Sequence, residues 1–397
     1  MKRISRRGFF QKSAAVSAGL TLPAIKDKNN QNKTEDPRIK LFKPFGKTGL
    51  KVSDISTGCN QRDDAVMKMA FDSGINLIDT AYEYPGHEEM IGRVLTPETR
   101  KNIFIVSKWD PPLVTATVTK KELLDALDIT LKRLKTDYVD CMMIHAIGYP
   151  TIGGIERIKN PAIYEAWDEA KRLGKIRFTG ASSHGPKLLE EMNWGLDNDL
   201  FDVILVGANF MMHGIEPLLK KARTKGVATM AMKTMSIFKS HNKQIMDIKE
   251  DSNTIRQAVM KYILSKDLFD TVTITMRTLD NVKEYVSMSG YTSINKSEMG
   301  ILNKLNKAAT KEYCRPGCDG CTGTCPNDVP IYDILRYKMY FENYGDEKRA
   351  MAYYRRIPDS CNAEACKDCS APCEKNCRYE LPVREKLLES HSLLTLA

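Results

Sequence analysis

The 397-residue chain has no apolar run long enough to cross a bilayer, a crossing that takes about 20 consecutive apolar residues in a helix. It also has no G-x-G-x-x-G fingerprint. The first strand-like run ends in STGCNQ, which argues against the doubly wound fold that binds dinucleotides through a glycine-rich turn after its first strand. Cysteine is almost missing before position 314, where only Cys59 and Cys141 occur. Nor is there a block of uncompensated basic charge. The formal net charge is +10, yet Lys and Arg are mixed with Asp and Glu in stretches such as TKKELLDALDITLKRLKTD. That is the pattern of a solvated helix face, so nucleic acid is not an expected partner.

What the chain does have is core material and a rhythm. Hydrophobic residues make up 42% of it, enough for one large domain and a smaller one. The stretch IKLFKPFGKTGLKVSDIS holds a Gly-Lys-Thr-Gly turn between short extended segments and is expected to form a β-hairpin. Strand-like runs then recur at VSDISTG, INLIDTA, NIFIVSK, YVDCMMIH, IRFTGAS, FDVILVGA, VATMAMK and TVTITM, with amphipathic segments between them. Leu123, Leu127, Leu131 and Leu134 form one helical stripe, and the run from Ala162 to Leu173 forms another. Eight strands alternating with helices over about 250 residues predict an α/β fold, a closed (β/α)8 TIM barrel.

Catalytic side chains of such barrels sit at the C-terminal ends of strands. The polar residues there are Asp79 and Tyr84 after the second strand, Lys108 ending the third and His145 ending the fourth. Each has an ordinary explanation by itself: a helix cap, rim packing, a solvated ammonium, a structural imidazole. Together they supply what carbonyl reduction by hydride transfer needs without a metal. A tyrosine hydroxyl, with a pKa of about 10 in isolation, must protonate a developing alkoxide near neutral pH. A neighbouring ammonium favours the phenolate and lowers that pKa. Asp79 can hold Lys108 charged and in place, and His145 can orient the substrate oxygen through a hydrogen bond.

With this constellation, the stretches FGKTGLKVS, GINLIDTAYEYPGHEEMIGRVL, IFIVSKW, DYVDCMMIH and GKIRFTGASSH, in that order, make the chain resemble the aldo/keto reductase family from about residue 39 to 310. The resemblance implies a nicotinamide cofactor, NADP or NAD, and a small-molecule carbonyl or alcohol as substrate. It makes Tyr84 the acid, Lys108 and Asp79 its tuning pair, and His145 the orienting group. The family's tyrosine lies five positions after the aspartate, which selects Tyr84 over Tyr82. It further implies Ser182 and Ser183 at the nicotinamide carboxamide, with Ser183 standing where Asn is usual, and Asn209 at another amide contact. After the seventh strand many relatives stack an aromatic on the nicotinamide, whereas MAMKTM offers Met232 and Lys233. In TMRTLDNVKEYV, Arg277 and the following helix N-terminus are implied as phosphate contacts. The loops AIGYPTIGGIERIKNP and SIFKSHNKQIMDIKED are expected to shape the substrate pocket.

Nine of the 11 cysteines lie between Cys314 and Cys377, and two compositional regimes imply two domains. The first run, CRPGCDGCTGTCP, carries Cys314, Cys318, Cys321 and Cys325; the second carries Cys361, Cys366, Cys369, Cys373 and Cys377. Tight thiolate loops of this kind bind iron and sulfide, with glycines letting backbone amides approach the sulfurs. The bacterial ferredoxin spacing C-x2-C-x2-C-x3-C-P is approached, but each run has at least one longer gap. The end CEKNCRYELPV resembles a ferredoxin repeat with Arg378 where Pro is usual. The chain thus resembles the aldo/keto reductases extended by a small cysteine-rich, ferredoxin-like domain with one or two [4Fe-4S] clusters. By analogy with two-cluster ferredoxins, one set would be Cys314, Cys318, Cys321 and Cys377, and the other Cys366, Cys369, Cys373 and Cys325, leaving Cys361 spare. Zinc held by four thiolates, disulfides, and the CxxxCxxC spacing of radical S-adenosylmethionine enzymes remain alternatives.

The N-terminus, MKRISRRGFFQKSAAVSAGL, places Arg6 and Arg7 before Phe9, Phe10 and a short Ala-rich run. It resembles a twin-arginine signal, whose passengers are exported already folded. The expected organisation is a signal segment over 1–26, a polar linker over 27–38, a barrel over 39–312 and an iron–sulfur domain over 313–397. The expected partners are the twin-arginine export machinery, the small-molecule substrate and a redox partner protein. The expected location is the periplasm, or the cytoplasm if the signal is not used. The function expected is hydride-transfer interconversion of a carbonyl and an alcohol, coupled to or capped by the cluster domain. The competing class is an electron-transfer or metal-binding protein on a barrel scaffold.

Overall fold

The computed structural model describes residues 37–58, 62–110, 112–149, 153–239, 252–309, 311 and 313–395. The signal segment, nearly all of the linker, Cys59, and residues 240–251 of the second pocket loop lie outside the described residues.

The hairpin forms from β1 (Phe42–Pro44) and β2 (Lys51–Ser53), paired antiparallel with Phe42 opposite Ser53. The eight expected strands follow as β3 (Ile55–Thr57), β4 (Leu77–Asp79), β5 (Phe104–Trp109), β6 (Val139–Ile144), β7 (Ile176–Ser183), β8 (Val203–Gly207), β9 (Ala228–Met232) and β10 (Thr271–Ile274). They close into a barrel in sequence order, β10 pairing with β3, and neighbouring strands run parallel. Alternate strand residues point inward. Leu77, Val106, Met143, Leu205 and Met230 thus join Phe45 and Phe104 in one buried cluster.

Phe45 follows β1, and its ring meets Phe104, the first residue of β5, edge-on at 5.0 Å. The hairpin therefore plugs the N-terminal end of the barrel and leaves the opposite end for chemistry. Gly46 makes this approach feasible. Its φ is +50°, and a Cβ there would stand 2.5 Å from the Gly226 carbonyl and the Ala228 amide. Helices cover the outer faces, which is why the strands read as nearly unbroken apolar runs. The helix Lys120–Leu134 opens with a reciprocal cap between Thr119 and Glu122 and buries its stripe of Leu123, Leu127, Leu131 and Leu134.

From Tyr313 onward the chain is helices and turns, and among the described residues no strand follows β10. The helices Ile331–Tyr344, Glu347–Tyr354 and Val383–Leu394 share a cluster with Ile334, Ala350 and Leu387 at its centre and Cys366 and Cys373 within it. This region lies on the C-terminal ends of the barrel strands. The Tyr332 hydroxyl donates to the carbonyl of His184, just past β7, at 2.5 Å, and the Gly317 amide reaches the same carbonyl at 3.3 Å. After β9, the hydroxyls of Ser236 and Tyr313 are 2.5 Å apart. After β4, the Tyr353 hydroxyl donates to Glu83 at 3.0 Å. Pro37–Ala397 is one compact unit, so the cysteine-rich region is a cap seated on the barrel mouth.

Candidate active site

β4 ends on Asp79 and is followed by a turn, closed by the Tyr84 amide donating to the Ala81 carbonyl at 3.0 Å, that brings Tyr84 back over the barrel. β5 carries Lys108 inward and β6 delivers His145. The Lys108 ammonium donates to Asp79 Oδ1 and, at 2.6 Å, to the carbonyl of Thr80. The two side chains are 1% and 6% exposed. Burying an ammonium is costly unless it is paired and hydrogen-bonded, and Asp79 and the Thr80 carbonyl supply both here. Lys108 Nζ also stands 5.3 Å from the centre of the Tyr84 ring, and the Tyr84 hydroxyl is 3.3 Å from His145 Nε2. The four expected residues therefore converge. Tyr82 does not join them: Arg133 lies over its ring at 4.6 Å and binds its carbonyl at 3.0 Å, on the outside of the barrel.

Behind His145 lies a charged layer absent from the sequence-based expectation. Glu83 Oε1 is 2.9 Å from His145 Nδ1. Arg157 donates to the His145 carbonyl at 2.6 Å. Burial pulls the imidazole pKa down, and the charge of Glu83 opposes that pull. Burial would raise Glu83, but His145, Arg349 and the Tyr353 hydroxyl outweigh it and hold the carboxyl at about 2. Burial first, and then the charge of Glu83, push Asp110 up to about 7. The only sequence signal for Glu83 is its place next to Tyr84.

The implied cofactor residues are spread along the same rim. Ser182 is buried and its hydroxyl accepts the Ala146 amide at 3.1 Å. Ser183 is buried too and donates to the Ile147 carbonyl. Asn209 is 3% exposed; its Oδ1 accepts the Met211 amide at 3.0 Å, while Nδ2 has no protein partner. A buried amide donor left over at this position fits the carbonyl of a nicotinamide carboxamide. Lys233 has φ +61° and its ammonium lies 5.5 and 5.3 Å from the ring centres of Tyr340 and Tyr344 in the cap, so this side chain faces the cap. Arg277 is exposed, just before the helix Leu279–Val286 that Thr278 caps.

The cap thiols fall into two sets. Cys314 lies among Cys318, Cys321 and Cys377, whereas Cys325, Cys366, Cys369 and Cys373 line one small cavity. Cys361 belongs to neither. Burial and the neighbouring sulfurs push Cys321 up to about 12 and Cys366 up to about 11. Four crowded thiols of this kind ionise together only if positive charge sits between them. Among the described residues no three His, Cys, Asp or Glu side chains converge to hold a single ion. The Val329 amide donates to Cys325 Sγ at 3.4 Å, the kind of contact a cluster ligand receives. A cavity of about 900 Å³ lies elsewhere in the cap, lined by Cys314, Arg336 and Glu385 among others and by none of the four convergent barrel residues.

Comparison with known proteins agrees with the barrel. Residues 55–252 match the model of the aldo/keto reductase family, a stretch that excludes the cap. Over 168 residues the chain is 30% identical to the uncharacterized oxidoreductase YqkF of Bacillus subtilis, covering 37% of this chain and 50% of that protein. It is 24% identical over 281 residues to L-galactose dehydrogenase of Arabidopsis thaliana, covering 62% of this chain and 87% of that one. The fold resembles the holo form of aldo-keto reductase AKR11C1 of Bacillus halodurans, with TM-score 0.55 and 23% identity over 69% of this chain and 99% of that chain. The chain spans half the length of the first of these relatives. A closed barrel of eight parallel strands, with polar side chains gathered at the strand ends, is an α/β barrel of the TIM type. The chain belongs to the aldo/keto reductase family.

Proposed function

We propose that the protein interconverts a small-molecule carbonyl and the corresponding alcohol with NADP or NAD at the barrel mouth. The observation that carries this reading is the Tyr84 hydroxyl 3.3 Å from His145 Nε2 with the Asp79-paired Lys108 ammonium behind its ring. Ser182, Ser183 and Asn209 would hold the nicotinamide carboxamide and Arg277 a phosphate; when bound, the nicotinamide supplies or accepts the hydride. The proton is handled by the chain itself. Tyr84 donates it to the carbonyl oxygen as negative charge develops there, and Lys108 stabilises the phenolate left behind. Asp79 holds that ammonium in place. His145 Nε2, next to that hydroxyl, orients the oxygen by donating a hydrogen bond to it. The name of the L-galactose dehydrogenase relative makes sugars the first substrates to test.

The same proposal gives the cap two [4Fe-4S] clusters, one held by Cys314, Cys318, Cys321 and Cys377, the other by Cys325, Cys366, Cys369 and Cys373. The support is the division of the thiols into these two sets. Such clusters, when bound, store and pass single electrons. Protein purified anaerobically is expected to be brown, with iron and sulfide in equal amounts, and to turn over carbonyls or sugars as followed by nicotinamide absorbance. Colourless protein holding zinc alone would overturn the cluster assignment, and absence of turnover across a broad carbonyl and alcohol screen would overturn the reductase assignment. The segment SRRGFFQ supports export of the loaded, folded protein. Arg6→Lys with Arg7→Lys is expected to retain it in the cytoplasm on cell fractionation, and unchanged distribution would count against that route.

A further inference from the structure

Two arginines of the cap are buried beside cysteines rather than carboxylates. Arg336, on the helix Ile331–Tyr344, is 3% exposed, and Arg315, next to Cys314, is 2% exposed. Arg336 Nη2 donates to the Tyr332 hydroxyl at 2.8 Å, and Nη1 to Met339 Sδ at 3.4 Å. Arg315 Nη1 donates to the Tyr313 carbonyl at 2.7 Å, and its guanidinium lies 3.8 Å from the centre of the Tyr379 ring. In both arginines Nε has no hydrogen-bond partner among the described residues. The groups that act most strongly on the two are tyrosines and cysteines. Asp333, buried one turn before Arg336, is not among those acting most strongly on it. Taking a guanidinium out of water is costly unless opposite charge accompanies it, so the pair fits an anion bound next to them.

Both cations stand beside the first set of thiols. Arg336 and Cys314 line the same cavity, and the charge of Arg336 acts on Cys314, while Cys314 and Cys318 act on Arg315. This set is also the one seated on the barrel. The Gly317 amide, between Cys314 and Cys318, reaches the His184 carbonyl at 3.3 Å, and Tyr332, which accepts from Arg336, donates to the same carbonyl. A Cβ on Gly207, at the end of β8, would stand 3.3 Å from Pro316 Cβ, so the loop from Cys314 to Cys318 lies against that strand end. The second set has Arg384 beside it, half-buried and donating to the Cys366 carbonyl at 2.9 Å.

We propose that Arg336 and Arg315 are the counter-charges of the cluster held by Cys314, Cys318, Cys321 and Cys377, and that they raise its reduction potential. The inference rests on the proposed clusters. Four thiolates leave an iron–sulfide core anionic. Reduction adds one electron, taken from a one-electron reductant, and neither breaks a bond nor takes up a proton. The negative charge gained in that step is what a neighbouring cation stabilises, and in dry surroundings the attraction is felt more strongly than in water. Burial alone makes the added charge costly and holds the cluster oxidised. The two guanidiniums offset that cost at the cluster nearest the barrel mouth.

The test is a potentiometric titration of the full, cluster-loaded chain, purified anaerobically, with dithionite as reductant and electron paramagnetic resonance reporting the reduced state of each cluster. Arg336→Met is expected to lower the reduced-to-oxidised ratio of one cluster about tenfold at fixed potential, a fall of about 59 mV in its midpoint for one electron. Arg315→Met should move the same midpoint in the same direction, Arg336→Lys should keep most of the parent value, and Arg384→Met should move the other midpoint. Tyr332→Phe keeps the charge and loses the hydrogen bonds to Arg336 and the barrel, and should shift the midpoint far less than Arg336→Met. Midpoints unchanged in both Arg336→Met and Arg315→Met overturn the inference, as does a shift in Tyr332→Phe equal to that in Arg336→Met. If the neutral variants do not load the first cluster, loading in Arg336→Lys bears out the counter-charge, and failure there overturns it. Parent protein without iron and sulfide fails the cluster proposal itself, an outcome distinct from loaded protein whose midpoints do not move.

Discussion

Tyr84→Phe is expected to lower kcat for carbonyl reduction by about 10²- to 10⁴-fold, the contribution a positioned general acid makes, while nicotinamide binding stays near its parent value. Among the described residues, the Tyr84 hydroxyl meets His145 Nε2 at 3.3 Å, and a buried ammonium lies behind its ring at 5.3 Å. Phenylalanine keeps the ring and so keeps the packing against His145, whose ring lies edge-on at 5.6 Å. The loss should therefore be confined to proton transfer. Single-turnover kinetics under anaerobic conditions, paired with a fluorescence titration of nicotinamide, separates the two quantities. Near-normal turnover in this variant would show that another group donates the proton.

Lys108→Met is expected to cost both activity and stability. Methionine matches the length of the lysine stem and removes only the charge, leaving Asp79 buried against apolar neighbours without its counter-ion. Breaking a buried pair from one side costs about 3–5 kcal/mol, which should show as a clear drop in thermal midpoint and denaturant midpoint. Activity should fall to about the level of Tyr84→Phe, since the phenolate loses the charge that stabilises it. Adding Asp79→Leu to Lys108→Met should recover much of the stability and none of the activity. That divergence distinguishes a catalytic ammonium from one that merely holds the fold. If the double variant is no more stable than the single one, the Lys108–Asp79 contact is not the source of the loss.

The parts of this molecule that were legible in the sequence are those written in short, regular patterns. Each of the eight strands carries its own run of β-branched and apolar residues bounded by polar ones, and the strand-end positions Asp79, Lys108 and His145 follow once the strands are placed. Tyr84 follows because the turn after β4 is local. Glu83 was not legible, because its meaning depends on Tyr353 and Arg349 arriving from the far end of the chain. No periodicity in ENYGDEKRAMAYYRR announces that one face of that helix will meet the barrel mouth. The orientation of Lys233 toward Tyr340 and Tyr344 was hidden for the same reason. The cysteine grouping lay between these cases: spacing offered two runs, the exchange of Cys377 and Cys325 between them came from the ferredoxin analogy, and the fold brings Cys377 near Cys314.

That crossing of the two cysteine runs has a consequence for how the cap is put together. Each set of four is closed by one residue borrowed from the other run, Cys377 for the first and Cys325 for the second. Filling either set would tie a long loop of chain, and the loop from Cys325 to Cys366 lies wholly within the loop from Cys321 to Cys377. Once one loop is tied, the ends of the other are already close, and the entropy still to be lost in tying it is smaller. If both sets hold clusters as proposed, chain connectivity couples them, and half-loaded protein is expected to be the scarce species.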